Sequence, residues 1–132
     1  MATVKEFLTR INEIEGVAGC LLVKGDGSLI GQMVKDAEML SSLLLLSGKY
    51  AQNIMFKAGF SYCRSLCFNR ETGDNFYMFA LNTYYLGVVQ TPGSSTEKMT
   101  AKVNHLLSLV KNVGAKGQKS AAKSQTGNGT SL

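Results

Sequence analysis

Three cysteines and one histidine are the residues of this 132-residue chain best suited to metal binding or nucleophilic chemistry. Cys63 and Cys67 are four residues apart in a segment, 60–70, where apolar and small side chains alternate as in a strand. In a strand they would share one face about 13 Å apart, too far to form a disulfide or chelate a metal ion together. Across the interface of a dimer, either cysteine could approach the same cysteine of the second copy. The one histidine, His105, falls on the polar side of a helix, so we predict no metal site and no catalytic residue.

The glycine-flanked Asp26 is a second candidate for chemistry, because glycine-rich loops can hold phosphate groups. Gly25-Asp26-Gly27 lacks the Gly-Lys-Ser/Thr continuation of a phosphate loop. The same residues suit a tight hairpin turn, which needs positive φ angles. We therefore expect Asp26 to have a turn role, Cys20 to be a core residue of the preceding strand, and no cofactor to be bound.

Apolar periodicity predicts the elements that would position these residues. A capping-box pattern, Ser94 with Glu97, opens the last helix, and Gly59 is a natural stop for the second. The predicted helices cover 3–14, 37–58 and a segment from Ser94 to about 113, and the predicted strands cover 17–24, 28–34, 60–70, 76–82 and 84–91. The fourth and fifth strands are apolar on both faces. The sequence thus predicts an α+β fold of order α-β-β-α-β-β-β-α, with a five-stranded antiparallel sheet and helices on both faces.

Composition separates the chain into a domain, 1–113, and a basic tail, 114–132, that we expect to be disordered. The tail carries three lysines and no acid, and so accounts for three of the five net positive charges. We expect it to tune association electrostatically; specific nucleic-acid binding is not expected. No secretory signal, membrane span or disulfide framework is apparent, which predicts a cytoplasmic protein that does not insert into membranes.

The second helix carries more apolar residues than one sheet-facing side needs. We expect one broad arc to cover the sheet: Met39, Leu40, Leu43, Leu46, Tyr50, Ala51 and Ile54. Leu45 and Phe56 fall on the opposite side, near Lys49 and Gln52, as expected of a helix that also meets another helix. The third strand has a face of small residues, and we expect it to lie at an edge of the sheet. It therefore offers Ser61, Cys63, Ser65 and Cys67 for pairing with the same strand of a second copy. These two sets form the predicted dimer or partner interface.

The order of elements and three short motifs resemble the Roadblock/LC7 family. The motifs are an isoleucine-bearing first helix (Ile11 and Ile14), Gly16-Val17-Ala18-Gly19 leading into the first strand, and the Asp26-Gly27 turn. Tyr85-Leu86-Gly87-Val88-Val89 resembles the family's last strand, and the likeness covers residues 3–113. The resemblance implies a profilin-like, longin-like Roadblock fold. It also implies a dimer in which third strands pair and second helices lie side by side.

The same resemblance implies a function in regulation. Prokaryotic members resemble regulators of small Ras-like GTPases in polarity and gliding systems, and eukaryotic members serve as dynein light chains or GTPase scaffolds. We therefore expect a non-enzymatic homodimer, or heterodimer with a related chain, that binds a Ras-like GTPase and influences its nucleotide state or localisation. The alternatives are a small-ligand sensor of PAS or profilin-like type and a dynein-type light-chain scaffold.

A GTPase regulator can also act by donating an arginine to the active site of its partner. Arg10, Arg64 and Arg70 are the candidates, and nothing around them in the sequence distinguishes one. If this protein stimulates GTP hydrolysis, we expect it to select a conformation of the partner's own switch loops.

Overall fold

The computed structural model describes residues 3–61 and 63–117, with side chains up to residue 110. Its elements follow the predicted order: α1 Val4–Asn12, β1 Val17–Lys24, β2 Leu29–Met33, α2 Ala37–Ala58, β3 Ser65–Phe68, β4 Phe76–Leu81, β5 Tyr84–Gln90 and α3 Thr96–Gly117. The predicted fold class is therefore confirmed. The proposed tail lies mostly outside the described residues, and α3 continues past residue 113 to Gly117.

The five strands form one antiparallel sheet in the order β2-β1-β5-β4-β3. β1 and β5, far apart in sequence, are neighbours at the centre, where Cys20 pairs with Val88. β2 and β3 are the two edges, so the predicted edge position of the third strand is confirmed. A turn at Asn82, which has a φ of +54°, joins β4 directly to β5.

Each face of the sheet has its own core. On one face α1 and α3 cover the sheet, and the core includes Leu8, Ile11, Leu86, Val88, Met99 and Val103. On the other face α2 covers it, with Leu21, Val23, Leu40, Leu44, Phe76 and Met78. β4 and β5 contribute side chains to both clusters, which explains why their sequences are apolar on both faces, as predicted.

Local sequence explains where the helices begin and end. Thr3 and Glu6 form a capping box that starts α1: the Glu6 N–H donates to Thr3 Oγ1 over 3.1 Å, and the Thr3 N–H donates to Glu6 Oε1 over 3.1 Å. Gly59, with a φ of +86°, ends α2 as expected. The capping box expected at Ser94 and Glu97 was wrong: Ser95 Oγ accepts from the Lys98 N–H, and Ser94 instead donates to the carbonyl of Thr91.

Two predicted boundaries of the third strand were also wrong. The strand is four residues long rather than eleven, because its ladder to β4 spans only Ser65 to Phe68. One further bond, from the Ala80 N–H to the carbonyl of Arg64, extends the contact by one residue. The predicted alternation holds within the strand, since Leu66 and Phe68 are half-buried and Ser65 and Cys67 are exposed.

Gly87 lets α2 approach the centre of the sheet. A Cβ at this position would lie 2.6 Å from Leu21 Cδ2, 2.8 Å from Phe76 Cζ and 3.0 Å from Leu44 Cδ1. All three neighbours are almost fully buried, so they have little room to move. The sheet and helix are therefore in direct contact over β5.

Candidate functional site

An apolar stripe runs along the exposed side of α2. Met39, Leu46, Tyr50 and Ile54 recur every four or seven residues, and they are 56%, 54%, 66% and 60% exposed respectively. The expectation that these four residues cover the sheet was wrong. We call them the α2 stripe; Leu43, half-buried, lies beside it.

The helix instead meets the sheet through Leu40, Leu44, Gly48 and Ala51. Apolar residues occupy more than half of the circumference of α2, so periodicity alone did not identify the buried side. The buried side could have been identified from its two small residues, Gly48 and Ala51. Gly48 packs so closely on Tyr85 that an added Cβ would lie 2.5 Å from Cζ of its ring. Small residues mark the side of a helix that approaches its neighbour closely.

Side-chain contacts show which edge of the sheet the α2 stripe faces. Ser47 Oγ lies 3.9 Å from Sδ of Met78, on β4, whereas Leu45 Cδ2 lies 3.3 Å from the Cβ position of Gly27, in the β1–β2 turn. Seen along the helix, the stripe follows the Ser47 side and lies away from Leu45. The stripe therefore lies on the β4–β3 side of α2, towards the open edge of the sheet.

The β3 edge directs backbone groups away from the sheet, on the side of α2 where the stripe lies, and one of them, the carbonyl of Ser65, accepts a hydrogen bond from the Cys63 thiol over 3.3 Å. The carbonyl of Arg64 accepts from the Ala80 N–H over 2.8 Å. In an antiparallel ladder such bonding residues alternate, so Leu66 and Phe68 also direct their backbone groups to β4. Ser65 and Cys67 consequently direct their N–H and C=O groups away from the sheet, as a strand able to accept another strand does.

The predicted interface residues fall into two separate places. Phe56, 82% exposed, lies with exposed Lys49 and Gln52 on the flank of α2 opposite the α2 stripe, and Leu45 beside them is half-buried. We call Lys49, Gln52 and Phe56 the outer flank. The residues expected on the third strand also divide: Ser65 and Cys67 lie on the edge strand, and Ser61 and Cys63 precede it. The outer flank lies on the side of α2 that faces the β1–β2 turn, whereas β3 is at the other edge of the sheet.

The groups that could do chemistry have structural roles or lie apart. Burial raises the pKa of the Cys20 thiol to about 12, and its Sγ donates to the carbonyl of Leu8 over 3.4 Å, as expected of a core residue. Asp26 caps its own turn by accepting from the N–H and Oγ of Ser28, and the hydroxyl bond is the main reason why the pKa of its carboxyl lies below the usual value. His105 is exposed on α3.

The described part of the chain contains neither a metal-binding cluster nor a membrane-spanning helix. Within it, no group of three or more His, Cys, Asp or Glu residues could hold a metal ion. Among the described helices, none combines the length and hydropathy that crossing a bilayer requires.

The three arginines that could serve phosphoryl-transfer chemistry lie in different parts of the fold. Arg10 is exposed on α1, Arg64 precedes β3, and Arg70 follows β3 and forms an ion pair with Asp74 at 3.5 Å. A shallow depression of about 470 Å³ lies beside Arg10, lined by Lys5, Glu6, Thr9, Arg10 and Glu13 of α1. It is open to solvent and lined by a single helix, unlike the enclosed clefts that hold small ligands.

Comparison with solved structures identifies the fold. MglB of Myxococcus xanthus matches with a TM-score of 0.74 and 14% identity, over 87% of this chain and 99% of that one. A Roadblock/LC7 domain from Streptomyces avermitilis matches with a TM-score of 0.73 and 8% identity, over 85% and 98%. An MglB with a tetrameric arrangement matches with a TM-score of 0.72 and 12% identity, over 88% and 94%. No family model and no curated protein matches the sequence. The structural neighbours are thus Roadblock/LC7 domain proteins, and this protein has their fold.

Proposed function

We propose that this protein is a homodimeric, non-catalytic regulator of a small Ras-like GTPase, working in the cytoplasm. The observation that carries the proposal is the α2 stripe lying beside the open β3 edge. An exposed apolar stripe of this length is characteristic of a surface that another protein covers. The fold shared with MglB and other Roadblock/LC7 proteins supports the GTPase as the regulated partner.

A second copy of the chain fits the α2 stripe because the stripe is nearly symmetric about its middle. If two copies of α2 lie antiparallel and cross near Leu46, Met39 of each faces the partner's Ile54. At the ends, Asp36 at the start of α2 comes near the partner's Lys57 in its last turn, which pairs opposite charges. A two-fold interface requires this self-complementarity.

The β3 edge supplies the second half of the same interface. Pairing with a twin strand satisfies the outward backbone groups of Ser65 and Cys67 and continues the sheet across the two-fold axis. Hydrophobic burial along α2 then supplies affinity, and strand pairing fixes the relative orientation of the two copies.

The outer flank remains exposed in such a dimer and is the proposed docking site for the GTPase. Phe56 is a large aromatic side chain with 82% of its surface exposed, beside the polar Lys49 and Gln52. An aromatic anchor surrounded by polar residues is a common arrangement at protein interfaces. Regulation requires that this surface bind one nucleotide state of the GTPase more tightly than the other.

Tyr50→Asp and Phe56→Asp test the assignment of the two flanks, since both replace an exposed aromatic residue of α2 by a carboxylate. We expect the unmodified protein and Phe56→Asp to have the mass of a dimer at about 50 µM, and Tyr50→Asp to be monomeric, because a charge on the stripe must be desolvated in the dimer. Size-exclusion chromatography with light scattering gives the masses, and circular dichroism checks the fold. An unmodified protein that is monomeric at this concentration would contradict the dimer.

Binding to the GTPase is tested with a Ras-like GTPase encoded by the same genome, loaded with GDP or with a non-hydrolysable GTP analogue. We expect the affinities for the two states to differ at least about tenfold, which corresponds to about 1.4 kcal/mol. Phe56→Ala should weaken the tighter complex, whereas Lys98→Ala, an exposed control on α3, should not. Equal affinity for both states would leave a scaffold without regulation, and no binding to any such GTPase would overturn the proposal.

A further inference from the structure

Two-fold symmetry restricts how two copies of β3 can pair. In an antiparallel pair, residues opposite each other have side chains on the same face of the sheet. Successive residues of a strand lie on opposite faces of the sheet. When two identical strands pair, opposing residues must therefore both have even numbers or both have odd numbers, and the two numbers add to an even total. It follows that one residue of β3 faces its own twin, and naming that residue fixes every other pair.

Contacts between α2 and the sheet show which part of β3 is level with each part of α2. Leu44 Cδ1 lies 3.0 Å from the Cβ position of Gly87. Gly87 pairs with Met78, and Met78 pairs with Leu66. Leu44 is therefore level with Leu66 across the width of the sheet.

The direction of α2 follows from a second contact. Gly48, one turn after Leu44, packs on Tyr85, two residues before Gly87. α2 therefore runs antiparallel to β5 and, by the ladder, antiparallel to β3. Two residues of helix advance about 3 Å, nearly the length of one strand residue. Leu46, the middle of the α2 stripe, is then level with Ser65.

We infer that the two-fold axis of the dimer passes beside Ser65, so that Cys63 of each copy faces the partner's Cys67 and the two thiols form an intersubunit disulfide site. The inference rests on the proposed dimer and adds the register of its strand seam. Each dimer contains two such pairs, one on either side of the axis.

The geometry of this register suits a disulfide between copies and disfavours one within a copy. Cys63 precedes β3, so in this register the seam continues two residues beyond that strand. Because Ser65 and Cys67 direct their backbone groups outward, opposing residues in such a seam are hydrogen-bonded pairs with Cα atoms about 5.5 Å apart, within the range of disulfides. In one extended chain the two cysteines would be about 13 Å apart. Cys67 is exposed and Cys63 is half-buried, so both are accessible to an oxidant, unlike the buried Cys20.

Oxidation joins Sγ of Cys63 to Sγ of the partner's Cys67. Each new S–S bond releases two electrons and two protons, which diamide accepts in being reduced to its hydrazine. Treatment of the full-length protein with diamide should therefore give a covalent dimer on a non-reducing gel, reversed by dithiothreitol. Trypsin cleaves after Arg64, so mass spectrometry should find peptide 58–64 linked to peptide 65–70.

Serine variants distinguish this register from the others. Cys63→Ser and Cys67→Ser should each remain dimeric by light scattering yet form no covalent dimer, because every pair needs both cysteines. When the two variants are co-expressed, mixed dimers keep one Cys63–Cys67 pair, and cross-linking should return. Serine can donate the hydrogen bonds that the thiols give to the carbonyl of Ser65 and to Asn69 Oδ1, so the fold should be kept.

Each other result has a separate meaning. Cross-linking of Cys63→Ser alone would show that Cys67 meets its own twin, and would overturn the register. A dimeric protein that diamide does not cross-link would overturn it as well. A protein that light scattering finds monomeric would contradict the proposed dimer itself.

Discussion

Gln90 is a buried polar residue whose hydrogen bonds join three elements. It is 3% exposed, and its Oε1 accepts from the hydroxyl of Tyr77 over 3.1 Å and from Nδ2 of Asn75 over 3.2 Å. Its Nε2 donates to Thr96 Oγ1 over 2.9 Å and to the carbonyl of Ser94 over 3.3 Å. β4, β5 and the start of α3 are thereby held together by one amide.

Replacing Gln90 by alanine should lower the free energy of unfolding by about 1–3 kcal/mol, because the Tyr77 hydroxyl and Thr96 lose a partner in a region with little access to water. Urea unfolding at a fixed protein concentration measures the change. Gln52→Ala, exposed on α2, is the control and should alter stability by less than about 0.5 kcal/mol. A Gln90→Ala variant as stable as this control would show that water replaces the amide.

At the scale of the element, α2 shows what the sequence could and could not predict. Its bounds, 37–58, were predicted correctly, because Gly59 adopts the positive φ that ends a helix. Its buried side was not, because exposed apolar residues needed for another surface gave the same signal as core residues. Periodicity measures apolarity alone, and cannot say whether the sheet or another protein covers a side.

The third strand illustrates a second limit. Alternation of side chains predicted a strand over 60–70, but pairing with β4 covers only Ser65–Phe68. The length of a strand depends on the partner beside it, which local alternation does not describe. The first hairpin turn was easier to predict, since Gly27 has the positive φ angle that such a turn needs.

Gly87→Ala should destabilise the protein by about 1–3 kcal/mol, because the added methyl group overlaps Leu21, Phe76 and Leu44 in a filled core. Combining it with Leu44→Ala should cost less than the two single changes added together, since the space vacated by Leu44 accommodates the methyl group. Thermal or urea unfolding of the four proteins gives this coupling energy. Strict additivity would show that Leu44 is not the residue that obstructs the methyl group.

At the scale of the whole molecule, the proposed dimer links stability to concentration. Since each copy covers the α2 stripe of the other, dilution should favour unfolding. We expect the melting temperature to rise by roughly 2–4 °C for each tenfold increase in protein concentration. Phe56→Asp should keep this dependence and Tyr50→Asp should lose it. A melting temperature of the unmodified protein that is constant from about 1 to 100 µM would argue against the dimer.

The candidate site was predicted in part at this scale. The edge position of β3 was predicted correctly, and the resemblance to Roadblock/LC7 proteins identified the fold. Which flank of α2 lies beside that edge depends on how the helix rests on the sheet, through Gly48 and Ser47. The rotation of α2 about its own axis is set by contacts between residues that are far apart in the sequence, so neither segment alone carries a pattern that shows it.

The place of β1 in the sheet also has a consequence for synthesis on the ribosome. β1 and β2 leave the ribosome early, yet β1 pairs on its other side with β5, through pairs such as Cys20 with Val88. Until residue 90 has emerged, the first hairpin has an unfilled edge at the future centre of the sheet, and α2 has no complete surface to cover. The order of translation therefore delays closure of the core beneath α2 until the last strand arrives, and closure of the core on the other face until α3 has followed it.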